Sequence, residues 1–265
     1  ANIGELISRV PEIKTPAGFV ITAAAYERFF AYNNLTEEIN RRLLVLETEE
    51  MADLYRLSSE IQLLIINAAI PPDLEAAITQ AYEELAAQVG ERVRVSLRSS
   101  AVGEDTLHAS FAGQYRSELN VSPDNLLPVY KEIVASKYAL TAITYRHQKG
   151  IRDEDVAMGV GVMQMVNAVA GGVMYSRDPL DIRSQTVFIN AVHGLAKTVV
   201  DGSATPDLYV VSRQEPLTVI RREIAVKAHK FVCLPEEGVC REVMDEAAQA
   251  PALQDDQALA LARLA

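Results

Sequence analysis

An α+β architecture divided between two lobes is what this sequence predicts, on three observations. The chain has 265 residues, 49% of them hydrophobic, enough for a large core shared between two lobes. From about residue 35 to 90 the pattern is helical, with capping and proline signals at the breaks. Beyond Gly90 the period falls to two, and residues 156–211 read as antiparallel sheet. Charged residues make up an ordinary 23%. The formal charge of −11 argues against a nucleic-acid or anionic-membrane surface. A local basic pocket for a nucleotide remains compatible with it.

Taken in order, residues 2–10 read as a short helix that Pro11 and Pro16 end. Gly18, Phe19, Val20 and Ile21 form a short strand, and Thr22 is placed to cap a helix over 23–32. Thr36, followed by Glu37 and Glu38, gives a cap and an acidic first turn. A second long helix covers 48–69. Pro71 and Pro72 end it and open a third over 73–89, with Pro72 in a first-turn position. Residues 35–90 are thus a helical insertion or cap. Val93, Val95 and Leu97 alternate with Arg94 and Ser96 as a half-buried strand, and 115–121 is a candidate hairpin partner. Ser122, Pro123 and Asp124 then start a long helix whose stripe of Leu126, Val129, Ile133, Leu140 and Ile143 ends near Gly150.

Val156, Met158, Val160 and Val162 alternate with Ala157, Gly159 and Gly161, so one face packs and the other admits something close. Gly171 and Gly172 turn the chain into Val173, Met174 and Tyr175, with further strands at 186–191 and 208–211. Residues 217–231 read as a β-ribbon, and Asp255 and Asp256 cap a final helix still running at Ala265. The chain divides on this reading into 1–92, the helical cap part of the first lobe; 93–155, a phosphate-loop part with its long helix; and 156–265, sheet-rich with the start of a C-terminal helix. Cys233 and Cys240 lack zinc-site spacing and read as free thiols. With no signal peptide, that points to a reducing, cytoplasmic setting. No apolar run reaches membrane-spanning length. The first residue is Ala1, and both ends look cut, so the chain is expected to be part of a longer protein.

Chemistry concentrates in the run Arg98, Ser99, Ser100, Ala101, Gly103, Glu104, Asp105, followed by Ala109, Ser110, Phe111, Ala112, Gly113 and Gln114. Arginine at a strand end is a planar donor fork suited to phosphate. Small residues and exposed N–H groups after it can wrap a polyphosphate. On the residues alone, Arg98 serves equally well in a structural ion pair with Glu104 or Asp105. Residues 162–166, including Gln164, Met165 and Val166, read first as a core strand with one inward polar residue. Arg177 is either a second phosphate cation or a solvated turn arginine.

As a whole the run resembles the Arg-Ser-Ser-Ala…Glu-Asp…Ser-Phe-Ala-Gly-Gln signature of the ATP-binding domain of phosphoenolpyruvate synthase and pyruvate phosphate dikinase. Three further segments resemble that family in the same order. They are Gln164-Met165-Val166, Gly172-Val173-Met174-Tyr175-Ser176-Arg177-Asp178-Pro179, and Gly194-Leu195 through Gly202 with Thr205-Pro206-Asp207. Pro16-Ala17-Gly18-Phe19 resembles its early Pro-Pro-Gly-Phe turn. The resemblance implies an ATP-grasp fold, two α+β lobes clasping ATP, with Mg2+ bridging the phosphates. It implies that Arg98 contacts the phosphates, and that Ser110, Ala112, Gly113 and Gln114 belong to a mobile loop over them. Ser117 stands at a small hydroxyl position, and Gln164, Met165 and Val166 form an adenine-side hinge.

The resemblance further implies an ATP-dependent phosphotransferase. It passes a phosphoryl group to a histidine on a separate phosphohistidine domain, and on to pyruvate held by another domain. Rifampicin phosphotransferases and glucan, water dikinases share this ATP domain, so the acceptor stays open; so does a degenerate regulatory or scaffold role. Ala196 and Lys197 stand where the family has Gly and Glu, which reverses a local charge. The family's Gly-Gly-Lys lysine and its metal ligands are expected outside residues 1–265, so this chain alone is expected to be inactive and no metal ligand is assigned. None of His108, His147, His193 and His229 lies in a phosphohistidine motif.

Overall fold

The computed structural model describes the chain except residues 1, 45–50, 91–92, 102–104, 107–108, 111–114, 182 and 235–237. The chain forms two compact units, one of residues 16–165 and one of residues 1–15 with 166–265.

In the unit of residues 16–165, strand β1 (Gly18–Ile21) comes first, and helix α2 (Ala23–Tyr32) starts with Thr22 as its N-cap; α1 (Asn2–Arg9) lies in the other unit. Helices α3 (Leu35–Leu44), α4 (Met51–Asn67) and α5 (Pro72–Val89) make up the cap, with Pro72 in the first turn of α5. Strand β2 (Val95–Ala101), the two-residue strands β3 (Asp105–Thr106) and β4 (Ala109–Ser110), and β5 (Ser117–Val121) follow. The expected long helix is broken. Helix α6 (Leu126–Ala135) passes through a 3-10 turn at Ser136–Tyr138 into α7 (Leu140–Lys149), which Gly150 ends in the left-handed region at φ 63°. The unit closes with β6 (Met158–Gln164).

These strands form an antiparallel sheet in the order β1-β6-β2-β5. Its packed face carries Ile21, Val95, Leu97, Val160 and Val162, all buried, against α2, α5 and α6. Each such side chain stabilises the unit by about 1.5–3 kcal/mol. Strand β6 was expected to belong with the strands after it; it instead joins β1 and β2. Its Val-Gly alternation gives it one face fit for this core and one with nothing to bury.

The other unit has the antiparallel sheet β10-β9-β8-β7, built from β7 (Ala170–Tyr175), β8 (Thr186–His193), β9 (Asp207–Ser212) and β10 (Val219–Glu223). A one-turn helix, α8 (Lys197–Val200), follows β8. Strands β11 (His229–Leu234) and β12 (Gly238–Val243) form the ribbon, later in the chain than expected, because 219–223 completes the sheet edge. Helix α9 (Asp255–Arg263) is capped by Gln254 in a reciprocal box with Gln257, not by Asp255 or Asp256, which lie in the first turn, and it ends before Ala265. Val187, Ile189, Tyr209, Val211, Ala258 and Ala262 form this unit's core. In the ribbon Cys240 is paired with Val232 and Cys233 with Val239, so the two thiols leave on opposite faces and form no disulfide with each other. Among the described residues no single helix is long and apolar enough to cross a membrane.

Candidate functional site

Arg98 lies in the middle of β2, not at its end: the strand continues through Ser99 and Ser100 to Ala101. Cross-strand partners share a face of a sheet, and the register sets Val20, Gly161, Arg98 and Ser117 in one row across β1, β6, β2 and β5. This row is on the face opposite Leu97 and Val162. Among the described residues the helices cover only the other face, so Val20 is 62% exposed, and Arg98 and Ser117 are exposed beside it. Among the described residues the Arg98 guanidinium has no ion pair. Five N–H donors fixed in a plane on an open sheet are a ready phosphate fork.

Ser117 reaches this face through a backbone irregularity. Val95 pairs with Val121, but Leu97 pairs with Glu118, so β5 carries one extra residue between them. The extra residue is accommodated at Asn120, which adopts φ 58°, a left-handed conformation asparagine tolerates better than most residues. Without that bulge Ser117 would stand opposite Ser99 and point into the packed face. The bulge therefore brings Ser117 to Arg98. Beside them Arg116 is held by Glu118 and Glu132, each at 3.0 Å, and is taken up in surface ion pairs.

Gln164, Met165 and Val166 follow at the end of β6, where the division between the two units falls, after Met165. The Gln164 N–H donates to the Ala17 carbonyl and the Met165 N–H to the Arg94 carbonyl, both at 2.8 Å. Those two donors hold the strand end in the sheet. Val166 lies beyond it, 51% exposed, and among the described residues its N–H makes no hydrogen bond. Gln164 is paired with Val95 and so sits on the packed face, across the sheet from Arg98. Ser110 is in the short β3–β4 pairing, opposite Asp105. Ala112, Gly113 and Gln114 lie outside the described residues, as do Glu104 and His108. Arg177 follows β7 in the other unit, exposed.

Other charged residues are structural. Asp207, quoted above only as part of a motif, is fully buried. It ion-pairs with buried Lys227 and accepts N–H groups from Ala225 at 2.9 Å and Ala252 at 2.7 Å. It pins the segments after β10 and before α9 to β9. In the unit of residues 16–165, Lys137 donates to Tyr26 Oη at 2.8 Å and to Asp153, which also pairs with Arg146 and accepts from Tyr138 Oη at 2.6 Å. Burial pulls the Lys137 ammonium down to about 8, against the upward pull of Asp153. Gly194, φ 72°, runs against the Phe231 carbonyl of β11, so the turn after β8 is a close backbone contact. Lys197 is exposed, its ammonium 5.9 Å from the Phe231 ring centre.

For a nucleotide the open row fits: among the described residues it offers a cation without an ion pair, a hydroxyl and a sheet floor that no helix covers. For Mg2+ it does not supply a cage. Among the described residues no group of three or more His, Cys, Asp and Glu is placed to hold a metal ion.

The sequence matches, over residues 1–265, the family described as pyruvate phosphate dikinase, AMP/ATP-binding domain. It is 38% identical over 217 residues to phosphoenolpyruvate synthase of Neisseria meningitidis serogroup B, covering 80% of this chain and 27% of that protein. With phosphoenolpyruvate synthase of Aquifex aeolicus the identity is 36%, covering 99% of this chain and 32% of that protein. With rifampicin phosphotransferase of Streptomyces sviceus it is 36%, covering 100% and 30%. The chain thus spans less than a third of the length of these relatives.

Proposed function

Because the chain belongs to the pyruvate phosphate dikinase AMP/ATP-binding domain family, we propose that it binds Mg-ATP on the open face of the β1-β6-β2-β5 sheet and donates a phosphoryl group to a histidine on a separate domain, en route to pyruvate. The observation that carries this is the exposed Arg98, with no ion pair among the described residues, in a row with Ser117 and Gly161. Arg98 and Ser117 hold the phosphates, with the loop of Ser110, Ala112, Gly113 and Gln114 over them. The chain at the end of β6, from Gln164 through Met165 to Val166, takes the adenine edge through its backbone; among the described residues the Val166 N–H is uncommitted, while those of Gln164 and Met165 stay in the sheet. Mg2+ bound to the nucleotide would supply neutralisation of phosphate charge, and none of the described residues is assigned to hold it.

Phosphoryl transfer depends on positioning and charge stabilisation more than on covalent help. Arg98 contributes to both by fixing the phosphate oxygens and meeting the charge that builds on them. Passing one phosphoryl group of ATP to the histidine and the other to water or inorganic phosphate leaves AMP, in keeping with a family described by both nucleotides. The match to a rifampicin phosphotransferase along the whole chain supports a second reading, the same ATP chemistry with an antibiotic acceptor. Calorimetry on the intact protein with ATP and GTP, each with magnesium, tests the first step; heat is expected with ATP. Labelled ATP with pyruvate or rifampicin then distinguishes the acceptors. No heat at millimolar ATP would remove the nucleotide reading.

A further inference from the structure

Gly161 is a strand glycine that the fold does not require. A side chain on Gly18 would collide with the Val162 carbonyl, and a Cβ on Gly159 would come within 3.2 Å of the Ser100 carbonyl oxygen. Those two are small because neighbouring backbone lies close. At Gly161 the nearest atom to an added Cβ among the described residues is the Arg98 carbonyl oxygen at 3.9 Å, an ordinary contact, and its φ is not in the left-handed region. Glycine inside a strand loses more backbone entropy on folding and packs nothing, so it weakens the strand. Neither strain nor crowding explains it here.

The position does. Gly161 lies between Val20 and Arg98 in the open row, one strand spacing of about 4.8 Å from the Arg98 backbone. Met165 is four residues further along, about 13 Å at strand rise, a span comparable to a nucleoside triphosphate from base to phosphate tail. We propose that Gly161 is the clearance residue of this face. Its missing side chain leaves the floor on which the polyphosphate end of the nucleotide lies beside the Arg98 guanidinium, and any side chain there excludes it. This rests on the reading of the Arg98 face as the nucleotide site.

The test uses the intact protein with Gly161→Ala and Gly161→Val, probed by calorimetry with ATP, tripolyphosphate and adenosine, alongside thermal unfolding. The unfolding midpoint should stay level or rise in both variants. Affinity for ATP and tripolyphosphate should fall by about tenfold or more in the valine variant, the scale of forcing extra methyl groups into a filled contact, with alanine between. Adenosine affinity should not change. Wild-type affinity for ATP in the valine variant overturns the inference, as does equal loss of adenosine binding. A drop in midpoint overturns it too, because the glycine would then be structural. If the wild type binds neither ATP nor tripolyphosphate, the reading of the face itself fails and takes the inference with it.

Discussion

Arg98→Ala separates a phosphate contact from a structural arginine, because the two roles predict opposite balances of binding and stability. Arg98 is exposed, stands between Gly161 and Ser117, and has no ion pair among the described residues. Removing such a side chain changes stability by no more than about 0.5 kcal/mol, a shift in midpoint of roughly 1–2 °C for a chain of this size. A charge-assisted hydrogen bond to phosphate is worth about 1.5–3 kcal/mol, which is roughly ten- to 150-fold in affinity or rate. Arg98→Lys should fall between wild type and alanine, since it keeps the charge and loses the fork. The assay pairs ATP titration and phosphoryl-transfer rate with thermal unfolding of the same samples. A midpoint that drops by many degrees in step with activity would show that Arg98 holds the sheet together, and the phosphate assignment would be wrong.

Asp207→Ala should behave in the reverse way. It strands the buried Lys227 ammonium and leaves two N–H groups without their acceptor, a loss of about 3–5 kcal/mol, read in denaturant unfolding; a loss under 1 kcal/mol would contradict the role given to it. Lys137 titrates near 8 when folded and near 10.4 when unfolded. Between those values the unfolded chain holds the extra proton, so stability rises with pH through that window. The slope between about pH 8 and 9.5 should flatten in Lys137→Met, and an unchanged slope would assign it to other groups. Hydrogen exchange at residues 110–114 should slow when ATP is added, as expected for a loop whose N–H groups meet phosphate; equal exchange with and without ATP counts against that placement.

Local signals in the sequence were enough for elements whose boundaries depend on local chemistry. Thr22 before an apolar run, Pro72 at a helix start and the turn at Gly150 mark α2, α5 and the end of α7 without reference to the rest of the chain. Family membership was legible for a similar reason, since ordered short motifs are themselves local strings. Arg98 could be named from its neighbours alone. Whether it was paired could not, because that depends on which strands flank β2 and which face the helices cover. Pairing partners are chosen by non-local burial. Strand β6 joined β1 and β2 because Val160 and Val162 fill the first core, though the pattern alone did not distinguish that sheet from the next. The bulge at Asn120 shifted β5 by one residue and turned Ser117 from the packed face to the open one, and a one-residue slip leaves no trace in an alternating pattern until both strands are seen together. The 3-10 break at Ser136–Tyr138 has the same origin: the apolar stripe ran on through it, while the buried Lys137 and Tyr138 turned there toward Tyr26 and Asp153. Residue types and periods were thus determined by the sequence itself. Which side chains share a face was decided only when the strands met, because a strand's two faces become different only once one of them is buried.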